Sequence, residues 1–107
     1  MKKNKISINI ISSFNHSNLI GLLKNNKSYD FEINEVDYNQ VFQVLTNPKD
    51  KIWKKKSNIS LVWTTPEDIF PEFKKLIYNE KINPDILKDQ VVSFCSYLKS
   101  IKKNSDF

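Results

Sequence analysis

The sequence predicts an α/β fold: a three-stranded parallel sheet in the order 2-1-3, flanked by helices. Strand-like and helix-like segments alternate along the 107 residues as β-α-β-α-β-α-α. Each pair of successive strands is joined through a helical segment, and right-handed crossovers of that kind make neighbouring strands parallel. The third strand is almost continuously apolar, as in strands of parallel sheets covered on both faces. Three strands in this order form the first half of a flavodoxin-like doubly wound sheet.

Each element has its own signal. Ile6, Ile8 and Ile10 alternate with Ser7 and Asn9, with Ile11 following, which is the period of a short β-branched strand. Ser12 to Ser17 is a polar loop. A helix is expected from about Ser17 to Asn26, with Leu19, Ile20, Leu22 and Leu23 as its apolar face and Gly21 weakening it or marking a close contact with the sheet. Tyr29, Phe31 and Ile33 alternate with Asp30, Glu32 and Asn34 as the second strand. Asp37 is placed to cap a helix with Val41, Phe42, Val44 and Leu45 on its inner face, ended by Asn47-Pro48. A basic connection follows, with a short helical turn expected to bury Ile52 and Trp53. Ile59 to Trp63 is the third strand. Thr65-Pro66-Glu67-Asp68 combines an N-cap, a first-turn proline and dipole-complementing acids. That helix should bend near Pro71 and run to about Tyr78. Asn83-Pro84-Asp85 repeats the start signal for a last helix with Leu87, Val91, Phe94, Leu98 and Ile101 in one stripe.

Composition excludes several function classes. The chain is 39% hydrophobic and 27% charged, enough to build a core, and no apolar run approaches the roughly 18 residues of a membrane span. The basic start Met1-Lys2-Lys3 is followed by an alternating strand with no small-residue cleavage site, so a cytoplasmic location without membrane association is expected. Cys95 is the one cysteine and His16 the one histidine, which removes an internal disulfide, a thiolate cluster and any two-histidine metal site. Cys95 falls in the last helix's apolar stripe and reads as a core residue. No cofactor motif is present. The net charge is +5, and all 17 basic residues are lysines. The lack of Arg speaks against nucleic-acid recognition, where the guanidinium fork is preferred. Lys54-Lys55-Lys56 reads as a solvated loop.

Polar residues concentrate where parallel sheets place ligands, at the carboxyl ends of the strands. Ser12, Ser13 and Asn15 follow the first strand, Tyr38-Asn39-Gln40 the second, and Thr64 and Thr65 the third. Ser12, Ser13 and Asn15 can equally cap the next helix, and Asp37-Tyr38 can equally open one. Trp63 reads as core. Two relatives of this architecture do not fit. A response-regulator receiver needs acids after the first strand and an Asp ending the third, where this chain has Ser-Ser and Trp-Thr. A flavodoxin needs a glycine-containing phosphate loop that Ser12 to Ser17 lacks.

Three segments carry a family resemblance: Ile10 to Asn15 (Ile-Ile-Ser-Ser-Phe-Asn), Tyr38 to Gln43 (Tyr-Asn-Gln-Val-Phe-Gln) and Trp63 to Pro71 (Trp-Thr-Thr-Pro-Glu-Asp-Ile-Phe-Pro). In this order and spacing the chain resembles the N-terminal region of FkbH-like proteins, an SGNH-hydrolase-like domain that precedes a haloacid-dehalogenase-type domain. The resemblance implies one partial SGNH-like domain over residues 1–107, ending where a fourth strand would begin. It implies a setting in polyketide or surface-polysaccharide biosynthesis, with an acyl carrier protein or the rest of an FkbH-like protein as partner. The family's glyceryl-transfer chemistry belongs to an Asp-x-Asp motif of the second domain, which this chain lacks.

An SGNH hydrolase places its serine just after the first strand. By that resemblance Ser12 or Ser13 is the candidate catalytic residue, and Asn15, Tyr38, Asn39, Gln40, Thr64 and Thr65 are candidate ligand contacts. The Gly-Asp-Ser form and the Asp-x-x-His pair of active members are absent. His16 lies near Ser13, but no acid is evident to orient it, so it is not expected to act as a base. The reading is a non-catalytic half-domain that docks a carrier or partner. The alternative is part of an ester hydrolase or acyltransferase completed by a second polypeptide. The apolar third strand lies at the edge of a 2-1-3 sheet, so self-association through residues 59–63 is also expected.

Overall fold

A computed structural model describes residues 4–37, 39–54 and 57–102. The elements are β1 (Asn4–Ser12), α1 (Ser17–Lys24), β2 (Tyr29–Glu35), α2 (Val41–Leu45), a 3-10 turn (Lys51–Trp53), β3 (Ile59–Trp63), α3 (Pro66–Ile69), α4 (Pro71–Ile77) and α5 (Pro84–Ile101). The sheet is three-stranded, parallel and ordered β2-β1-β3, as the alternation of elements predicts.

The register defines two faces. Ile8 pairs with Ile33 and Ile59, and Ile10 with Glu35 and Leu61; these rows lie on the face that α1 partly covers. Ile11 and Val62 lie on the opposite face, under α2, the 3-10 turn, α3 and α5. The main core forms there, from Ile11, Val41, Val44, Leu45, Ile52, Trp53, Ile69, Phe94 and Ile101. Trp53 Nε1 donates to the Val44 carbonyl at 3.0 Å, so the short turn buries its indole with the N–H satisfied. Phe94 meets Phe42 and Phe70 in T-shaped contacts at 6.0 and 5.7 Å.

One row of this inner face is polar. Asn34, Asn9 and Ser60 lie side by side across the three strands. Asn9 Nδ2 donates to Ser60 Oγ, and Asn34 Nδ2 donates to Asn9 Oδ1 and to Ser7 Oγ, each at 3.3 Å. Asn9 and Ser60 are fully buried, so these bonds offset their desolvation.

At the far end, Asn83 caps α5 by accepting from the N–H groups of Asp85 and Ile86. Glu72 is 4% exposed and clasps the α4–α5 connection. Its Oε1 accepts from the Asn83 N–H at 2.7 Å, and its Oε2 meets Lys75 Nζ at 2.9 Å. These two contacts, the lysine first, hold its carboxyl below the ordinary glutamate value.

Several local expectations are corrected. Gly21 has nothing within 4 Å of where a Cβ would stand, so no close approach requires it. Leu22 is exposed, and α1 ends at Lys24. Asp37 does not cap α2, which starts four residues later with Gln40 at its N-cap. Cys95 and Val91 are exposed, because only part of α5 meets the core. Trp63 is 47% exposed and Ile59 43%, so β3 is not covered on both faces. Its α1-side face lies open at the sheet edge. The radius of gyration is 16.0 Å, against about 13 Å for a compact domain of this length.

Candidate functional site at the carboxyl edge of the sheet

Parallel pairing brings the ends of all three strands to one edge, and backbone bonds lock them there. Ser13 N–H donates to the Trp63 carbonyl at 3.3 Å, and Asn39 N–H donates to the Ser12 carbonyl at 3.1 Å. Asn39 holds φ 66°, a left-handed conformation that asparagine tolerates better than most residues. The two strand-end turns on either side of β1 are therefore fixed to it.

Ser12 and His16 make the most chemically suggestive contact. Ser12 Oγ lies 2.5 Å from His16 Nδ1, and His16 Nε2 lies 3.0 Å from Glu35 Oε2. The expectation that no acid orients His16 is thus overturned: Glu35, the last residue of β2, faces it. Its partner is Ser12, not Ser13. A hydroxyl, an imidazole and a carboxylate in line have the composition of a nucleophile, base and orienting acid.

Two observations set that line apart from a working relay. Ser12 Oγ is also 2.7 Å from the Phe14 carbonyl and donates to it. A hydroxyl has one proton, so while it bonds the Phe14 carbonyl it has none to give to Nδ1, and a general base must receive that proton. Ser12 is also 1% exposed, which leaves a substrate carbonyl no approach to its oxygen. In this arrangement the three side chains brace the β1–α1 loop against the end of β2.

Ser13 belongs to a second group. Its Oγ accepts from the Thr65 N–H at 3.2 Å, and Thr65 Oγ1 meets the Asp68 carboxylate at 2.6 Å. The Thr65 bond first, then the Ser13 bond, hold the Asp68 carboxyl below its ordinary value. Thr65 therefore spends its hydroxyl on Asp68 and makes no side-chain N-cap bond to α3. Asn15 Oδ1 accepts from Ser17 N–H and Ser17 Oγ at 2.9 and 2.7 Å, which ties down the start of α1. Ser12 and Ser13 do not cap that helix.

Shallow clefts flank the brace. One of about 240 Å³ is lined by Asn15, His16, Ser17, Glu35, Val36 and Asp37. Another of about 320 Å³ runs from His16 along Leu19 and Leu22 to Phe14 and Trp63, whose rings meet edge to face at 4.9 Å. Asn15 lines both, while Ser12, Asn39, Gln40, Thr64 and Thr65 line neither. Asn39 and Gln40 are exposed, and Thr64 and Thr65 half-buried. Tyr38 lies outside the described residues. A more apolar groove of about 380 Å³, lined by Phe42, Ile69, Ile86 and Tyr97 among others, contains none of the strand-end residues. Among the described residues no cluster of three or more His, Cys, Asp or Glu side chains is placed to hold a metal ion, and no helix is long and apolar enough to cross a membrane.

No family model and no curated protein matches the chain. Among solved structures it is similar to the N-terminal part of the protein BF1531 from Bacteroides fragilis, a crystal structure containing a phosphatase domain complexed with Mg. The identity is 19% and the TM-score 0.67 over 90% of this chain. The match spans 26% of the BF1531 chain, about a quarter of its length. What the two share is the three-stranded parallel α/β fold.

Proposed function

We propose that the chain is a non-catalytic SGNH-like half-domain of an FkbH-like protein that docks a partner through the open side of its sheet. The partner is an acyl carrier protein or the remainder of such a protein, in polyketide or surface-polysaccharide biosynthesis. The observation that carries the reading is β3. Among the described residues it has a strand on one side only, and Ile59 and Trp63 are nearly half exposed along it. An unpaired apolar edge is a template for another strand. The fold shared with part of a longer, phosphatase-domain chain supports the same reading. Hydrogen exchange tests it. The β3 amides of the monomeric chain should exchange much faster than those of β1 and slow down when a carrier or the next strands are supplied. Strong protection of β3 in the monomer would remove the open edge and the reading with it.

The line of Ser12, His16 and Glu35 favours a second reading, a hydrolase or acyltransferase completed by a second polypeptide. That polypeptide would have to expose Ser12. Aryl-ester turnover that appears only in a reconstituted complex and is lost in Ser12→Ala would establish it.

A further inference from the structure

We infer that the groove between α2 and α5 binds a small organic cation with an apolar body, an alkyl- or arylammonium, whose ammonium pairs with Asp89. The groove holds about 380 Å³, within the range of small-molecule sites. It stands apart from the open edge proposed above. Its walls are α2 and the α3–α4 bend on one side and α5 on the other, and no residue of β3 lines it.

Asp89, Ser93 and Tyr97 recur at four-residue steps along α5, so they share one face and span about 12 Å of its axis. The Tyr97 end is apolar. Tyr97 and Phe42 meet edge to face at 6.2 Å, and Phe42 stays 40% exposed on a lining that also includes the buried Ile69. The Asp89 end sets the sign. Among the described residues Asp89 is the one charged side chain of the lining, and it has neither an ion pair nor a hydrogen bond there. Ser93 and Gln90 add only neutral groups, and the Gln90 Oε1 already accepts from the Glu72 N–H at 3.1 Å. Asp89 therefore remains the acceptor for a ligand's N–H donors. An apolar trough with a few placed polar groups is the usual form of a small-ligand site. An ammonium supplies donors and opposite charge, whereas an anionic head would meet Asp89 with like charge.

The experiment titrates the full, nitrogen-labelled chain with octylammonium, octanol and octanoate, which share a tail and differ in head charge. Octylammonium should shift the amides of Phe42, Ser93 and Tyr97 saturably, with Kd on the order of 1 mM for a ligand this small. Octanol should bind about two- to five-fold more weakly, the worth of an exposed ion pair, and octanoate more weakly still. Asp89→Asn should bring octylammonium to the level of octanol and leave octanol unchanged. Ser93→Trp, at an exposed position, should fill the groove and abolish binding while the rest of the spectrum is kept. Added salt should weaken octylammonium, since it screens the pair with Asp89. Strengthening by salt would show that the net charge of +5 governs instead and would overturn the inference. So would octanoate binding as tightly as octylammonium, shifts confined to other surfaces, binding that survives Ser93→Trp, or no saturable shift. Groove amides that move with protein concentration alone would place a second copy there and overturn it as well.

Discussion

His16 Nε2 lies 3.0 Å from Glu35 Oε2, joining residues 19 positions apart through the register of two strands. Ile10 stands beside Glu35 in the sheet, and the loop that leaves β1 two residues later carries His16 back over that pair. The imidazole is 6% exposed while the carboxylate reaches solvent. The ring is thus held between a buried hydroxyl and a surface acid.

Removing the ring should destabilise the fold. His16→Ala leaves the buried Ser12 without one of its two partners, and losing a buried hydrogen-bond partner costs about 1–3 kcal/mol. Glu35→Gln keeps a hydrogen-bonding side chain at the solvent-exposed end and should cost less than about 1 kcal/mol, the scale of an exposed polar contact. Urea denaturation of the two variants gives the comparison. Equal losses would show that Glu35, not the Ser12 contact, dominates the brace.

The isolated chain should not turn over simple aryl esters. Ser12 donates to the Phe14 carbonyl and is closed to solvent, and Ser13 accepts from the Thr65 N–H with no base bonded to its hydroxyl among the described residues. Pure protein assayed at high concentration should match buffer. A rate that disappears in Ser12→Ala or Ser13→Ala would contradict this.

Acid should weaken the α4–α5 clasp. The folded chain holds the Glu72 carboxyl below 4.5, chiefly through Lys75 and then the Asn83 N–H. A depressed carboxyl contributes stability that is fully present above its unfolded value. That contribution is therefore intact at neutral pH and declines as pH falls below about 4.5 toward the folded value. Asp68 behaves in the same sense from 3.8 downward. Melting temperature followed from pH 7 to 3 should fall for the wild type, and Glu72→Gln should start lower and fall less. Parallel curves would mean that Glu72 makes no pH-dependent contribution.

Asn39 should report backbone conformation. At φ 66°, alanine meets a left-handed penalty of about 1 kcal/mol that glycine avoids. Asn39→Ala is therefore expected to melt below the wild type, and Asn39→Gly at or near it. A lower melting point for the glycine variant than for the alanine variant would point to the asparagine side chain instead.

Much of this architecture was legible because its signals are local. The alternation at Ile6, Ile8 and Ile10, the Thr65-Pro66 start and the Asn83 cap mark β1, α3 and α5 without reference to the rest of the chain. Sheet order followed from helix-linked strands. The Glu35–His16 contact did not follow, because it depends on which residue of β2 stands beside Ile10, and period-2 patterns on neighbouring strands do not determine register. Trp63 was misread for a related reason. An apolar run does not show how far each face of its strand is covered, and among the described residues the Phe14 ring and α1 cover the Trp63 side of β3 only in part. Cys95 and Val91 fit a helical stripe whose length exceeds the core that α5 meets. The asparagine, glutamine and threonine candidates lie at the carboxyl edge because parallel topology brings all three strand ends there, while the bond of Thr65 to Asp68 depends on loop geometry that composition does not encode.

The row of Asn34, Asn9 and Ser60 works as a key in a lock. Aliphatic side chains attract any aliphatic neighbour, whereas an amide buried out of step with its partners would lose its bonds, so slipping any strand by one position carries a heavy penalty. Substituting valine at all three positions should raise the melting point yet blur the alignment, seen as extra sets of amide resonances in place of one. Three polar side chains thus trade some cohesion for a single way of assembling the strands.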